Sequence, residues 1–304
     1  MRAALYDQYG GPEVLYVGEA PVPQPGPGQV RVRVVASSVN PIDWKVRSGT
    51  RPTVAAFPAG TGTDAAGLVD AVGEGVDTEW LGRPVLGAAV DRRAAAEYCL
   101  LHHWAAKPAA LDWDEASAVP LAFETALRVI RASGVQDGET VLIDGASGSV
   151  GMAAIQLAPS FGFTVVGTAS SRGAKSLARL GVTAIPYDKP VDEALAEADV
   201  DHIDRVFDFS GRRIPQLIAL VGDADKVTGI VDHEHAAQLG IRDTTSSMED
   251  GAYDAIELVA KMAENKHLIV NIGPVFDLDQ IAEAQEANRL GGTDGKVIVR
   301  ISQD

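Results

Sequence analysis

The stretch Val141-Leu142-Ile143-Asp144-Gly145-Ala146-Ser147-Gly148-Ser149-Val150-Gly151 decides the fold. An aliphatic run with the length of a buried strand ends in a turn spaced Gly-x-x-Gly-x-x-Gly, and helical spacing follows from Met152 to Ala158. Such a turn presents backbone N–H groups and a helix N-terminus with no Cβ in the way, the arrangement a pyrophosphate docks against. Three glycines alone also fit an ordinary loop. The downstream pattern separates the two readings: helical Val150 to Phe161, strand-like Thr164 to Gly167, helical Ala174 to Leu180, then strands at Ala184 to Pro186, Arg205 to Phe209 and Lys226 to Val231. Strands alternating with helices in this order predict a parallel, doubly wound sheet with the glycine turn at the end of its first strand.

On that reading Gly145, Ala146, Ser147, Gly148, Ser149, Val150 and Gly151 cradle the phosphates of a dinucleotide. A site for an unphosphorylated ribose would carry Asp or Glu at the end of the second strand. The chain has Thr168-Ala169-Ser170-Ser171-Arg172-Gly173-Ala174-Lys175 there instead. Ser170, Ser171, Arg172 and Lys175 offer two hydroxyls and two cations to a 2′-phosphate, so NADPH is the expected cofactor. The alternative is that Arg172 and Lys175 decorate an exposed helix start, although cations there oppose the helix dipole and ask for an anion nearby.

From Met1 to about Lys107, short β-like runs such as Val30 to Val35, Gly67 to Val72 and Tyr98 to Leu101 are broken by glycine and proline, which predicts a β-rich domain. Pro21 to Gly28 is a stiff connector, because proline removes amide donors and fixes φ. Asp112-Trp113-Asp114-Glu115 reads as a capped helix start and Leu121 to Ala132 as helix. After an amphipathic helix near Tyr253 to Asn265, His267 to Ile272 and Lys296 to Ile301 are β-like again around helical Leu278 to Asn288. That tail is expected to return to the first domain. The predicted division is therefore 1–115 with 268–304 for one domain and 116–267 for the other.

With 304 residues, 46% of them hydrophobic, the chain is long enough for two separate cores. Lys and Arg number 26 against 42 Asp and Glu, a formal charge of −16, and the resulting field repels nucleic acid and anionic membranes. A phosphorylated cofactor must then be held by a local cation cluster such as Arg172 with Lys175. Cys99, the lone cysteine, excludes an intrachain disulfide and a zinc lobe built from several thiolates, and fits a reducing, cytoplasmic setting. The N-terminus turns polar at Asp7 and Gln8, without the apolar core of a signal peptide, and no run has the length of a membrane span.

The chain resembles the quinone oxidoreductase branch of the medium-chain dehydrogenase/reductase superfamily, close to zeta-crystallin and to plant enone and alkenal reductases. The likeness rests on Val35-Ala36-Ser37-Ser38-Val39-Asn40-Pro41-Ile42-Asp43-Trp44-Lys45-Val46-Arg47-Ser48-Gly49, on Gly60-Thr61-Gly62-Thr63-Asp64-Ala65-Ala66-Gly67-Leu68-Val69, on the glycine turn, and on Gly295-Lys296-Val297-Ile298-Val299. It implies an α/β chain with a GroES-like β-rich catalytic domain and a Rossmann-type domain. In zinc-dependent members a cysteine ligand stands where this chain has Asn40, and a Gly-His-Glu triplet where it has Gly62-Thr63-Asp64. The resemblance therefore implies catalysis without metal, and His102-His103 and His233-Glu234-His235 are expected to be solvated loop residues rather than ligands.

The chemistry the resemblance implies is hydride transfer from NADPH to a quinone or an α,β-unsaturated carbonyl, with an enoyl reductase or an NADPH-binding protein of little turnover as alternatives. It assigns Asn40 to a substrate oxygen and Asp43 to steadying the same loop; simple turn and capping chemistry accounts for both residues as well. Lys45, where the quinone reductases tend to carry tyrosine and the enone reductases lysine, is assigned to a developing enolate or its proton, against the alternative of a solvated lysine on a mobile loop. The resemblance further places Thr125 near the nicotinamide ribose and Tyr187 at the adenosine end. Ser210, Gly211, Thr228, Gly229 and Ile230 follow as residues at strand ends along the cofactor. A homodimer formed through the cofactor domain is the family habit.

Overall fold

The structure, a computed structural model, describes residues 1–230, 233–244, 251–265 and 268–302. The chain runs β1 (Arg2–Tyr6), β2 (Tyr16–Glu19), β3 (Val30–Ser38), α1 (Pro41–Arg47), β4 (Ala59–Gly60), β5 (Asp64–Val72), β6 (Pro84–Ala89), β7 (Tyr98–Ala106), α2 (Trp113–Ala118) and α3 (Pro120–Ser133). It continues through β8 (Thr140–Asp144), α4 (Ser149–Phe161), β9 (Thr164–Ala169), α5 (Ser171–Arg179), β10 (Thr183–Pro186), α6 (Val191–Glu197), β11 (Arg205–Asp208), α7 (Ile214–Val221), β12 (Val227–Gly229), α8 (His233–Leu239) and β13 (Arg242–Asp243). The last segment holds α9 (Ala255–Glu264), β14 (Ile272–Asp277), α10 (Ile281–Leu290) and β15 (Lys296–Arg300).

Two compact units result, Met1–Leu121 with Tyr253–Asp304, and Ala122–Ala252. In the first, the strand order among the described residues is β14-β15-β3-β5-β6-β7, and β3 also pairs with β7, so that the sheet closes on itself in the GroES-like manner. Val30, Val32, Val34, Ala65, Val69, Val85, Cys99 and Leu101 fill the closed part. Every second residue of β3 points inward there, which is why the alternation Val30, Val32, Val34 was legible as strand. A small antiparallel sheet, β2-β1-β4, accompanies it.

The second unit is the Rossmann-type domain, a parallel sheet ordered β10-β9-β8-β11-β12-β13 among the described residues. Its central strand carries Val141, Leu142 and Ile143, all fully buried, as a parallel strand covered on both faces must be. Asp112 and Glu115 cap α2 reciprocally, Asp112 Oδ1 accepting from Glu115 N at 2.8 Å and Glu115 Oε2 from Asp112 N at 3.0 Å.

The structure corrects the sequence reading in several places. Lys45 sits on the helix α1 rather than a mobile loop, because Pro41 at the first helical position and Asp43 at the third supply the start signals. His102 and His103 belong to β7, with rings stacked 5.1 Å apart and His103 stacked in turn at 4.1 Å on Tyr253. His233, Glu234 and His235 fall in α8 instead of a loop; the side chains of His233 and His235 lie outside the described residues. The late strand is β14, Ile272–Asp277, not His267 to Ile272, of which His267 lies outside the described residues, as does Val231 at the end of the expected strand from Lys226. The units change at 121/122 and 252/253, where the sequence reading placed 115/116 and 267/268, since α9 packs on β7 in the first unit.

Candidate functional site

In the first unit, register brings four polar residues from distant parts of the chain together. The end of β3 is flanked on both sides, Ser38 lying opposite Asp64 of β5 and opposite Ile298 of β15. Val39 N–H then donates to the carbonyl of Val297 at 2.9 Å, and the chain leaves the sheet at Asn40. Asp64 at the start of β5 and Lys296 at the start of β15 thus meet around Asn40, all three buried.

Their contacts are specific. Asn40 Nδ2 donates to Asp64 Oδ2 at 2.8 Å, and Lys296 Nζ donates to Asn40 Oδ1 at 2.5 Å. Asp64 Oδ2 also accepts from Ser38 Oγ at 2.8 Å and lies 3.6 Å from Lys296 Nζ, while its Oδ1 accepts from the backbone N–H of Leu121 at 2.8 Å. A buried carboxylate beside a buried ammonium is tolerable only with such full hydrogen bonding.

Asp43 is buried one turn into α1. Its Oδ2 accepts from Asn40 N–H at 2.8 Å and its Oδ1 from Thr63 Oγ1 at 3.0 Å, which ties the start of α1 to the segment before β5. Burial, reinforced by the nearby charge of Asp64, pushes its carboxyl up to about 6 against the lowering effect of these hydrogen bonds. Lys45 is half-buried, its ammonium 5.8 Å from the centroid of the Trp44 ring. Sequence reading gave Asn40, Asp43 and Lys45 but not Asp64 and Lys296 as site residues. The signal for those two is a charge opening an otherwise apolar strand, in Asp64-Ala65-Ala66 and Lys296-Val297-Ile298.

In the second unit, the parallel register aligns the carboxyl ends of the strands, with Asp144 opposite Asp208, Asp208 opposite Gly229, and Pro186 opposite Ala169. Gly145, Ser170, Tyr187, Ser210, Gly211, Gly229 and Ile230 therefore fall along one edge. Gly145 N–H donates to Thr168 Oγ1 at 3.0 Å, and Ala146 N–H to the Thr168 carbonyl at 3.2 Å, which pins the turn to β9. Gly151 must be glycine, since a Cβ there would lie 2.5 Å from the Ala146 carbonyl oxygen. Gly148 caps α4 without a side-chain hydrogen bond, so the first amides of α4, from Ser149, Val150 and Gly151, have no side-chain acceptor among the described residues. Ser147, Gly148 and Ser149 are exposed.

Ser170 caps α5, accepting from Gly173 N–H at 3.2 Å, and a Cβ on Gly173 would lie 2.6 Å from Ser147, so the glycine turn and the start of α5 are in contact. Ser171, Arg172 and Lys175 are exposed on this helix, and neither cation has an ion pair among the described residues. Tyr187, 47% exposed, follows β10 and donates its N–H to the Ala169 carbonyl at 3.2 Å. Thr228 is buried inside β12. Thr125 is buried on α3, donating to Glu124 Oε2 at 3.1 Å, and Glu124 in turn pairs with Arg128 at 2.7 Å.

Two acids at the same edge escaped the sequence reading. Asp144 holds Arg213 at 2.7 Å, accepts from Thr168 Oγ1 at 2.8 Å and is bonded to Ser210 Oγ. Asp208 Oδ1 accepts from the amides of Ser210 and Gly211, while its buried Oδ2 has no partner among the described residues and burial raises its pKa. Among the described residues, the amides without a side-chain acceptor and the cations without an ion pair on this edge offer hydrogen-bond donors of the kind that anionic oxygens accept. Among the described residues no group of three or more His, Cys, Asp or Glu is arranged to hold a metal ion, and no helix is long and apolar enough to cross a membrane.

Residues 26–113 match the family model of the alcohol dehydrogenase GroES-like domain. The chain is 30% identical to the quinone oxidoreductase of Homo sapiens over 98% of its own length and 97% of that protein. It is 31% identical to a 2-methylene-furan-3-one reductase of Solanum lycopersicum, over 98% of the chain and 79% of the relative. Among solved structures, the quinone oxidoreductase from Coxiella burnetii superposes with a TM-score of 0.82 at 28% identity, over 99% of both chains. With the GroES-like and Rossmann-type units both present and similarity running nearly end to end, the chain belongs to the quinone oxidoreductase branch of the medium-chain dehydrogenase/reductase superfamily of oxidoreductases.

Proposed function

We propose that the protein is an NADPH-dependent reductase of quinones or α,β-unsaturated carbonyls that works without a metal ion. The observation that carries this reading is the edge formed by the glycine turn and the start of α5, where amides of α4 without a side-chain acceptor and Arg172 and Lys175 without an ion pair, both among the described residues, offer donors to phosphate groups. When bound, the cofactor supplies hydride from its nicotinamide ring. The relatives' names describe acceptors with one feature in common, a carbonyl conjugated to a carbon–carbon double bond, in which delocalisation carries the negative charge that a Lewis acid would otherwise stabilise.

The residues of the chain then divide the binding and positioning between them. The turn from Gly145 to Gly151 and the segment Ser170 to Lys175 bind the cofactor's phosphates, with Tyr187 beside its adenosine. Thr125, Ser210, Gly211, Thr228, Gly229 and Ile230 border the rest of it. Asn40 donates a hydrogen bond to the acceptor oxygen, and Asp43 holds the backbone of Asn40 at the start of α1. Lys45 contributes an ammonium to the developing enolate.

Dissociation constants for NADPH and NADH, by titration of the wild type and of Arg172→Ala with Lys175→Ala, test the cofactor half of this reading. The double variant should weaken NADPH at least about ten-fold and leave NADH within about three-fold, since charge-assisted bonds to a 2′-phosphate are what it removes. Equal weakening of both, or of neither, contradicts the assignment.

A further inference from the structure

The reading of Asn40 as the residue that holds the acceptor oxygen leaves open which end of its amide faces the acceptor. Oxygen and nitrogen of an asparagine are told apart by their partners. Lys296 carries only donors, so the atom 2.5 Å from its Nζ is the amide oxygen. The atom facing Asp64 Oδ2 at 2.8 Å is then the nitrogen, meeting a carboxyl oxygen that already accepts from Ser38. Each partner enforces the same orientation.

We infer that Lys296 and Asp64 are positioning residues that lock the Asn40 amide, so that its second N–H, uncommitted among the described residues, is the group offered to the acceptor oxygen. The reversed amide would present its oxygen to the acceptor oxygen, two lone pairs facing each other. The ammonium on Oδ1 also draws electron density from the amide and makes the remaining N–H a stronger donor. The arrangement is rigid because both partners open strands that flank β3, and Lys296 is bound through its own N–H to the Asn271 carbonyl at 2.8 Å. Asp64 keeps its bonds from Ser38 and the Leu121 amide without Lys296, so loss of the ammonium leaves the carboxylate with donors. This inference rests on the acceptor-holding role of Asn40, and its test separates the two.

Lys296→Met, Lys296→Arg, Asn40→Ala and the double variant Lys296→Met with Asn40→Ala are compared with wild type for kcat and acceptor KM at saturating NADPH. The side-chain amide signals of asparagine-labelled protein are recorded without cofactor, Asn40 being assigned against Asn265, Asn271 and Asn288 by its absence in Asn40→Ala. Lys296→Met should lower kcat at least about ten-fold, short of what losing an oxyanion donor outright costs, with KM within about three-fold. Lys296→Arg, which keeps a cationic donor, should restore most of that loss. In the Asn40→Ala background Lys296→Met should cost nothing further, because its effect runs through Asn40. Lys296→Met should also shift the Asn40 amide pair.

An undiminished cost of Lys296→Met in the Asn40→Ala background would overturn the inference in favour of a purely structural role. A slow Asn40→Ala beside a Lys296→Met of wild-type kcat would overturn it while leaving the acceptor-holding role intact, whereas wild-type turnover by Asn40→Ala would remove that role itself. If Lys296→Met does not fold, the wild-type spectrum still decides. A locked amide exchanges the hydrogen that Asn40 gives to Asp64 with water far more slowly than the exposed Asn265 exchanges its own, and an Asn40 amide that exchanges as fast as a solvated asparagine contradicts the lock.

Discussion

Asp43 is the titratable group of the site whose surroundings move it furthest into the working range, up to about 6. The unfolded chain's value is near 3.8, so the folded state holds this proton more tightly. The sign follows: the stability gained is full below about pH 4 and is lost as pH rises through about 6, a change on the order of 3 kcal/mol. Asp43→Asn stays neutral and should lack this slope. Its melting temperature relative to wild type should climb by several degrees from pH 4 to pH 7, read by thermal denaturation across that range; a difference that stays flat with pH contradicts the burial argument. Asn40 and Asp43 were singled out at this scale because they lie three positions apart in the recognisable motif Asn40-Pro41-Ile42-Asp43. Asp64 and Lys296 were not recognised as a pair, because what joins them is the register of β5 and β15 on either side of β3, which no local pattern records.

At the scale of elements, periodicity was a good guide where an element packs on one face and a poor one where a few residues decide. The strand–turn–helix from Val141 to Phe161 and the strand β9 were plain in the sequence, since a buried parallel strand and a glycine turn leave strong marks. The helix α1 was read as a loop because it is seven residues long and its apolar face is short. Gly151→Ala tests whether the turn's shape is what binds phosphate. The new Cβ, 2.5 Å from the Ala146 carbonyl oxygen, must displace the turn, and NADPH affinity should fall at least about ten-fold with a lowered melting temperature. Unchanged affinity in a folded variant would show that the cradle is not used.

For the whole molecule, the charge of −16 works against every polyanionic partner, and the proposed cofactor site has to overcome it locally, with the cations of α5. The expected border at 115/116 was drawn from the change of texture near Asp112, whereas no such change marks the border near Tyr253, because α9 has the spacing of any amphipathic helix and only its packing on β7 assigns it to the first unit. Substrate choice follows from shape and chemistry that neither composition nor motif encodes. The most direct test is oxidation of NADPH followed with EDTA present throughout, against 1,4-benzoquinone, 9,10-phenanthrenequinone, an enone and a 2-alkenal. Turnover of at least one of these conjugated acceptors, undiminished by the chelator, is the expected result. NADPH that binds tightly but is oxidised by none of them, or turnover abolished by EDTA and restored by a metal ion, would contradict it.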